Sequence, residues 1–364
     1  MRYCSPPTNK RMEPSSVQSA IVLSAGGSSV TLLSATSVCP GFEMKPTKRN
    51  HYNPCFWTAV WNSAYYDAFI NGSRGDLIPR EQIVNALNVK SNKILVAKVD
   101  NVHFDKNLGV AEITSEGAKQ FCKRHHPDKY ESFCRESNED EYPVYIDFEE
   151  ILTHLEKMIP YRVLLDIIRR QDLANGHEKV FLASFVYLQL LRSHAIMNSM
   201  LEWNSELGIK KFEYFIMLKW GLSDSDFLYQ AVAPLVFSRW TLYRTNVDTF
   251  PLCDSPVLVR PQSIMIAISP RLLLEISTSI PAEGDEWYVK DSVKNSKLVE
   301  FRRRTIGNTF REIIFDDKSM LEYWQGTREF RQRVETVQEM VSYNALVTRE
   351  KNRELWLINA LGNR

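Results

Sequence analysis

Arg192 and Asp254 are the charged residues whose sequence surroundings most clearly require a partner. Arg192 lies in the stretch VFLASFVYLQLLRSHAIM, which is apolar on almost every face of a helix and therefore predicts burial. A buried guanidinium needs a carboxylate or several carbonyl groups, because an isolated buried charge is too costly. Asp254 stands between apolar strand residues and is the predicted partner, and Gln189, one helical turn before Arg192, would complete the network.

His51 precedes a segment whose other residues have structural explanations. Asn53 and Pro54 predict the N-cap and the first residue of an amphipathic helix, and Asn71-Gly72 predicts its end. The pattern gives His51 no such role. A histidine beside an aspartate and an arginine is suited to general acid–base catalysis on an anionic substrate such as a phosphoester.

Two interpretations of this polar set stay open. In the first, His51 gives or takes a proton, Asp254 orients it or holds a cation, and Arg192 binds a phosphate group. In the second, the same residues form an internal salt-bridge network that only fixes a helix on a sheet. Convergence on a solvent-reachable cleft favours the enzyme, whereas complete burial with mutual satisfaction favours the structural role.

The segment CKRHHPDKYESFC, residues 122–134, offers side chains of the types that bind zinc. Cys122 and His125 have a workable spacing at one end, but the other end, with His126 and Cys134, lacks a matching close pair. A charged helix that runs into a loop is therefore favoured over a metal site. The sequence assigns no metal ligand and identifies no cofactor.

Residues 301–311, FRRRTIGNTFR, form the best local basic cluster, which Glu300 and Glu312 dilute. The whole chain has 45 Lys and Arg against 44 Asp and Glu, so it lacks the basic excess of a dedicated nucleic-acid binder. A solvated helix face is the default interpretation, with contact to a phosphate backbone as the alternative. The phosphate-loop, GxGxxG, HExxH and GxSxG motifs are absent from the sequence.

The cysteines and the N-terminal residues bear on location. Six scattered cysteines without a CxxC pair predict reduced thiols in the cytoplasm. The sequence has no apolar run of about 18 residues or more, which predicts that no segment spans a membrane. Residues 1–43 are rich in Ser, Pro and Thr, and they predict either a disordered extension or a start codon placed upstream of the true start at Met44.

The periodicity of the rest of the chain predicts an α+β fold: one helix-rich domain, residues 44–364, with a small, mostly antiparallel sheet. Four short β-branched or leucine-rich runs within residues 238–278, divided by prolines, predict adjacent strands of that sheet. Residues 93–114 alternate apolar and polar side chains around a turn and predict a β-hairpin. Helices are predicted within residues 147–237 and 290–350.

Taken in order, these pieces resemble the bacterial "domain of unknown function 4238" family over residues 44 to 350. The family's Lys-Asn-His-Tyr-Val-Pro-like motif lies close behind its initiator methionine, as His51 lies behind Met44 here. The matching segments are Lys48 to Pro54 with His51, YLQLLRS with Gln189 and Arg192, FPLCDSPVLV with Asp254, ISPR with Arg271, and VSYNALV with Asn344.

The resemblance implies one shared site made by residues from separate segments. Its catalytic candidates are His51, Arg192, Asp254 and Asn344, and its binding candidates are Gln189 and Arg271. The chain departs from the family at Cys55, Cys253 and Ser255, where the family has glutamine, serine and asparagine. The family carries no established activity. The residue types of the predicted site, and not the family, lead to the predicted function: a cytoplasmic hydrolase of nucleic-acid or nucleotide phosphoesters. The alternative is a non-catalytic binding or structural protein.

Overall fold

The computed structural model describes residues 50–72, 77–105, 110–137, 142–147, 161–193, 215, 225–281 and 286–342. The predictions for residues 1–43, for the start at Met44 and for Asn344 lie outside these ranges. Within them the chain has the predicted α+β class, with mostly antiparallel sheets and helices. No helix in the described ranges combines the length and the apolar character needed to cross a lipid bilayer.

The strands of the described chain are short. In chain order they are β1 (Asn50–His51), β2 (Ile83–Asn88), β3 (Lys93–Lys98), β4 (Phe104–Asp105), β5 (Val110–Ile113), β6 (Val144–Asp147), β7 (Ser238–Arg244), β8 (Leu252–Cys253), β9 (Leu258–Arg260), β10 (Ser263–Ser269), β11 (Leu272–Pro281), β12 (Trp287–Lys290) and β13 (Glu312–Ile314).

The larger sheet has the strand order β12-β7-β11-β10-β9. Its neighbours are antiparallel except for β12, which runs parallel to β7. The prediction that residues 238–278 supply adjacent strands of one sheet is confirmed for β7, β9, β10 and β11. The strand β10 reads as a near-continuous apolar run because its residues are buried on both faces, and β11 does so over residues 272–274 at its start.

A second sheet has the order β3-β2-β13-β8 and is joined by antiparallel pairs. The hairpin predicted over residues 93–114 is wrong, because β3 pairs with the preceding strand β2. The chain then forms a 3-10 turn at Val99–Asn101, and His103 takes a left-handed φ of 52°. After these turns β4 pairs with β1, and further along the chain β5 pairs with β6, so neither strand pairs with β3.

The helices of at least four residues in the described chain are α1 (Cys55–Thr58), α2 (Ser63–Ile70), α3 (Ser115–His125), α4 (Tyr130–Glu136), α5 (Tyr161–Arg170), α6 (Gly176–Leu191), α7 (Ser225–Val236), α8 (Asn295–Asn308), α9 (Lys318–Gln325) and α10 (Arg328–Ser342). The helical character predicted for residues 290–350 is confirmed for α8, α9 and α10, although β13 interrupts it. Parts of the predicted stretch 147–237 are helical as α5, α6 and α7. Asp147 belongs to β6, residues 171–175 connect α5 to α6, and residues 148–160, 194–214 and 216–224 lie outside the described ranges.

The prediction of one continuous helix from Pro54, with Asn53 as its N-cap, to Ile70 is wrong in two respects. The chain forms α1, a 3-10 turn at Ala59–Trp61 and then α2, because Asn62 is extended and its side chain accepts a hydrogen bond from Tyr65 N. Pro54, not Asn53, occupies the N-cap position of α1. The predicted end is confirmed, since Asn71 is the C-cap of α2 and Gly72 follows with a φ of 72°.

The aromatic side chains of the N-terminal segment anchor it to β10 of the larger sheet and to the loop before β8. The Trp57 indole donates a hydrogen bond to Ile268 O, and the Trp61 indole donates one to Phe250 O, each at 2.8 Å. Both rings are fully buried in the main apolar core. A buried indole needs a hydrogen-bond acceptor, so these bonds fix where the chain around His51 lies relative to the strands.

Candidate functional site

His51 lies at the end of β1, where that strand pairs with β4, and its side chain is half-buried. The imidazole Nε2 lies 3.3 Å from the backbone carbonyl of Asp100, which belongs to the 3-10 turn after β3. On its other side the ring packs against Phe104, with 5.8 Å between the ring centroids. A carbonyl can only accept, so Nε2 carries the proton in this contact and Nδ1 keeps its lone pair.

Charged groups surround the imidazole. Partial burial lowers the pKa of His51 below its ordinary value, and the hydrogen bond to the Asp100 carbonyl and the Asp100 charge oppose that effect. The positive charges of Arg80 and Arg192 lower it further. The sequence predicts a shared site for His51 and Arg192; the charge of Arg192 acts on the imidazole, together with the charges of Arg80 and Asp100, which the sequence did not indicate.

Cys55 and Asp100 complete a compact group around His51. One potential metal-binding atom from each of the three side chains lies within 4.8 Å of the other two, and all three residues are half-buried. Within the described ranges, these three residues are the one group of histidine, cysteine and acidic side chains whose spacing is close enough to hold a metal ion. It contains no residue of the 122–134 segment.

Arg192 and Gln189 lie at the end of α6, which starts at the N-cap Asn175 and is buried over most of its length. Arg192 is the C-cap residue and is 4% exposed, so its predicted burial is confirmed. Gln189 is 1% exposed, and its Oε1 has no hydrogen-bond donor in the described structure. An orphaned buried acceptor is costly, and its place one turn before Arg192 marks this end of the helix as a polar position inside the core.

Asp254 lies deeper in the molecule, directly after β8, and is completely buried. Its carboxylate accepts hydrogen bonds from Phe310 N at 3.1 and 3.3 Å. Burial and the nearby Glu312 charge raise the pKa of Asp254 to about 7, against the lowering effect of the backbone N–H groups of Phe310 and Arg311. Arg192 is not among these partners, so the predicted ion pair between Arg192 and Asp254 is not present in the described structure.

A buried polar network separates Asp254 from the His51 group. His103 Nδ1 accepts a hydrogen bond from Asn53 Nδ2 at 2.7 Å, and His103 Nε2 donates one to Glu312 O at 3.0 Å. Asn53 Nδ2 also donates to Cys253 O at 2.8 Å. Burial lowers the pKa of His103 to about 3, so its ring is neutral and acts as a structural connector. Asn53 therefore serves this network instead of capping α1.

Arg271 belongs to a different surface. Its Nε donates to Asp248 Oδ1 at 2.7 Å, its Nη2 lies 3.3 Å from Asp67 Oδ1, and its guanidinium stacks over the Tyr66 ring. These contacts tie α2 to the turn between β10 and β11. They give Arg271 a structural role and do not bring it to the His51 group. The remaining candidate, Asn344, lies outside the described residues.

Sequence reasoning missed three residues around His51. Cys55 follows His51 by four positions, and that spacing across the turn into α1 is the signal that could have identified it. Asp100 and Arg80 had no local signal. Asp100 reaches the site because the 3-10 turn Val99–Asn101 ends β3, and Arg80 because it lies in the neighbouring 3-10 turn Pro79–Glu81.

Comparison with known proteins adds no assignment. The chain matches no known protein family, no curated protein and no solved structure. The resemblance to the domain-of-unknown-function family stays a prediction, and the site is interpreted from its own geometry.

Proposed function

We propose that the protein is a hydrolase of phosphoester bonds in nucleotides or nucleic acids, and that His51 is the centre of its active site. The observation that carries this proposal is the half-buried imidazole, held at the Asp100 carbonyl and influenced by the charges of Arg80 and Arg192. Phosphoryl transfer requires a positioned water and positive charge more than covalent chemistry. This group offers the positive charge and an imidazole that could position the water.

The two arginines would bind the phosphate group together. Arg192 extends from the buried end of α6 and is held by the core, whereas Arg80 is exposed on its 3-10 turn. A guanidinium binds phosphate oxygens in pairs and keeps its charge at any physiological pH. During hydrolysis the water oxygen bonds to phosphorus, the ester P–O bond breaks, and the leaving alcohol takes up a proton. His51 activates the water, and the arginines stabilise the negative charge.

A cytoplasmic location is part of the proposal. None of the four cysteines in the described ranges, Cys55, Cys122, Cys134 and Cys253, forms a disulfide bond. Free cysteines in a chain of this length suit a reducing compartment.

A non-catalytic binding protein is the second candidate, and the buried network favours it. Asp254 and His103 are fully enclosed, and each is satisfied by neighbours in the fold. If the His51 group only extended this network, the protein would bind a phosphorylated ligand without turning it over.

The first experiment assays the full chain on labelled RNA, DNA and nucleotides, with and without added divalent metal, beside His51→Ala. We expect the wild-type protein to release product and the variant to lose about 100- to 10,000-fold in rate, as is usual when a proton-transfer group is removed. Thermal unfolding of both proteins establishes that the variant is folded at the assay temperature.

His125→Ala is the matched control, because His125 is exposed on α3 and distant in sequence from the site. Its rate should equal that of the wild-type protein. Binding of nucleotides without turnover by the wild-type protein would support the second candidate instead. Turnover that His51→Ala leaves unchanged would overturn the assignment of the site.

A further inference from the structure

The side chains of His51, Cys55 and Asp100 come from three different elements and meet at one point. His51 ends β1, Cys55 begins α1, and Asp100 lies in the 3-10 turn after β3. Their potential metal-binding atoms, one nitrogen, one sulfur and one oxygen, lie within 4.8 Å of one another. In a tetrahedral zinc site, bonds of about 2.0 to 2.3 Å place the ligand atoms about 3.3 to 3.8 Å apart. Side-chain rotations that move the ligand atoms by about one ångström would therefore close the group around an ion.

The contact between His51 and the Asp100 carbonyl resembles the arrangement that metal-binding histidines use. Such histidines usually donate the ring N–H that faces away from the metal to a carbonyl or carboxylate, which fixes the ring and its tautomer. Here Nε2 faces the Asp100 carbonyl at 3.3 Å. Nδ1 is then the nitrogen with a lone pair for the ion. Asp100 would contribute twice, through its backbone carbonyl to His51 and through its carboxylate to the metal.

The donor set selects the metal. Imidazole with thiolate suits zinc and other borderline or soft transition metals, whereas magnesium and calcium take oxygen ligands. Three protein ligands leave the fourth tetrahedral position to water, as in catalytic zinc sites.

The positive charges of Arg80 and Arg192 would oppose binding of a bare cation. A Cys55 thiolate and the Asp100 carboxylate carry two negative charges between them, which compensate a divalent ion. The arginines then face a neutral metal group and remain available to an anionic ligand beside it.

We infer that His51, Cys55 and Asp100 bind a divalent transition metal, zinc in the first place, with water in the open position. What the ion does rests on the proposed function: it would lower the pKa of the bound water so that hydroxide forms near neutral pH. His51 would then activate the water by holding the ion, and not by taking the proton itself. Binding of the ion does not rest on that function, because it depends only on the three side chains.

The test measures metal binding directly. The full chain, stripped with chelator and dialysed, is titrated with Co²⁺, and the near-ultraviolet charge-transfer band between thiolate and cobalt is recorded, followed by displacement with Zn²⁺. We expect about one Co²⁺ per chain and a thiolate band. Cys55→Ser should remove the band, and Asp100→Asn should weaken affinity by at least tenfold, since even indirect supporting residues are worth about that much.

Both variants replace a single atom or group, and Asp100→Asn keeps the backbone carbonyl that holds His51. Thermal unfolding without metal should therefore show folded proteins, and the metal-induced rise in melting temperature should be lost in Cys55→Ser. Cys134→Ser is the matched control, because that thiol lies in the 122–134 segment; it should keep both the band and the shift.

Absence of the band in the wild-type protein, or its loss in Cys134→Ser instead of Cys55→Ser, would overturn the inference. Metal binding through Cys55 without phosphoester turnover would refute the proposed function and leave the metal site standing. Turnover that survives chelation and Cys55→Ser, in a protein that shows no thiolate–cobalt band, would refute the metal site and leave the proposed function standing.

Discussion

At the scale of single residues, the interior of this protein contains ionisable side chains held in uncharged or nearly uncharged form. His103 is neutral because one ring nitrogen accepts from Asn53 while the other donates to Glu312 O. Asp254 is fully buried, and its carboxylate depends on backbone N–H groups and not on an arginine. The pKa of each residue is displaced mainly by burial, so each links folding stability to pH.

Asp254→Asn should change how stability depends on pH. The pKa of Asp254 is about 7 in the folded protein, above its ordinary value, so the folded state holds a proton that the unfolded state has already released. This residue therefore favours folding at low pH, and its contribution is lost as pH rises from about 4 to about 7, by up to about 4 kcal/mol. Asparagine removes the titration. Urea unfolding of the variant should therefore show a smaller loss of stability between pH 5 and pH 8 than the wild-type protein shows, by ~2 kcal/mol or more.

The exposed Asp128→Asn is the control for that experiment and should leave the pH dependence unchanged. Comparison with the wild-type protein isolates the Asp254 contribution from that of His103, which acts in the opposite direction. The pKa of His103 is lowered to about 3, so its contribution is lost as pH falls below about 6.5. Equal pH dependence of stability in Asp254→Asn and in the wild-type protein would contradict the raised pKa assigned to Asp254.

At the scale of elements, Asn62 determines how the N-terminal segment enters the fold. Its extended backbone, with φ −94° and ψ 118°, separates the 3-10 turn Ala59–Trp61 from α2. Its Oδ1 accepts from Tyr65 N at 2.7 Å, and its Nδ2 donates to Ile83 O at 2.7 Å. One side chain therefore starts a helix and attaches it to the first residue of β2.

Asn62→Ala should destabilise the protein by roughly 1 to 2 kcal/mol, because both the cap and the bond to β2 are lost. Chemical denaturation measures the change. Asn71→Ala at the exposed other end of the same helix is the matched control, expected within about 0.5 kcal/mol of wild type. An equal effect of the two substitutions would mean that Asn62 does not act as a cap.

At the scale of the whole molecule, Asn53 joins three segments that are far apart in the chain. It follows β1, and its amide donates to His103 and to Cys253 O, at separations of 50 and 200 residues. Cys253 belongs to β8, the edge of the four-stranded sheet, whose neighbour β13 begins at Glu312. The segment that carries His51 is thereby attached to that sheet, while Trp57 attaches it to β10 of the larger sheet and Trp61 to the loop before β8.

Asn53→Ala should cost on the order of 3 kcal/mol, because a buried ring nitrogen and a buried carbonyl lose their donor. A double-mutant cycle with His103→Asn, which tolerates the left-handed backbone at position 103, measures the coupling between the two side chains. Strictly additive changes in unfolding free energy would show that the network does not hold the turn in place.

The sequence by itself determined the class of the fold and much of its local structure. The apolar runs divided by prolines gave strands β7, β9, β10 and β11, and the apolar surroundings of Arg192 gave its burial. Asn71-Gly72 marked the end of α2. These features depend on periodicity, burial and backbone preferences within a few residues, and such preferences are visible in a sequence.

Only the tertiary structure decided which residues surround His51 and which group satisfies Asp254. Asp100 and Arg80 reach His51 through turns whose direction has no periodic signature, and β13 is a three-residue strand recognisable only by its pairing with β2 and β8. The partner of Asp254 is a backbone N–H group, which almost every residue carries, so composition could not single out Phe310. A prediction of ion pairs from the sequence considers side chains alone, whereas the folded backbone supplies the hydrogen bonds to the Asp254 carboxylate.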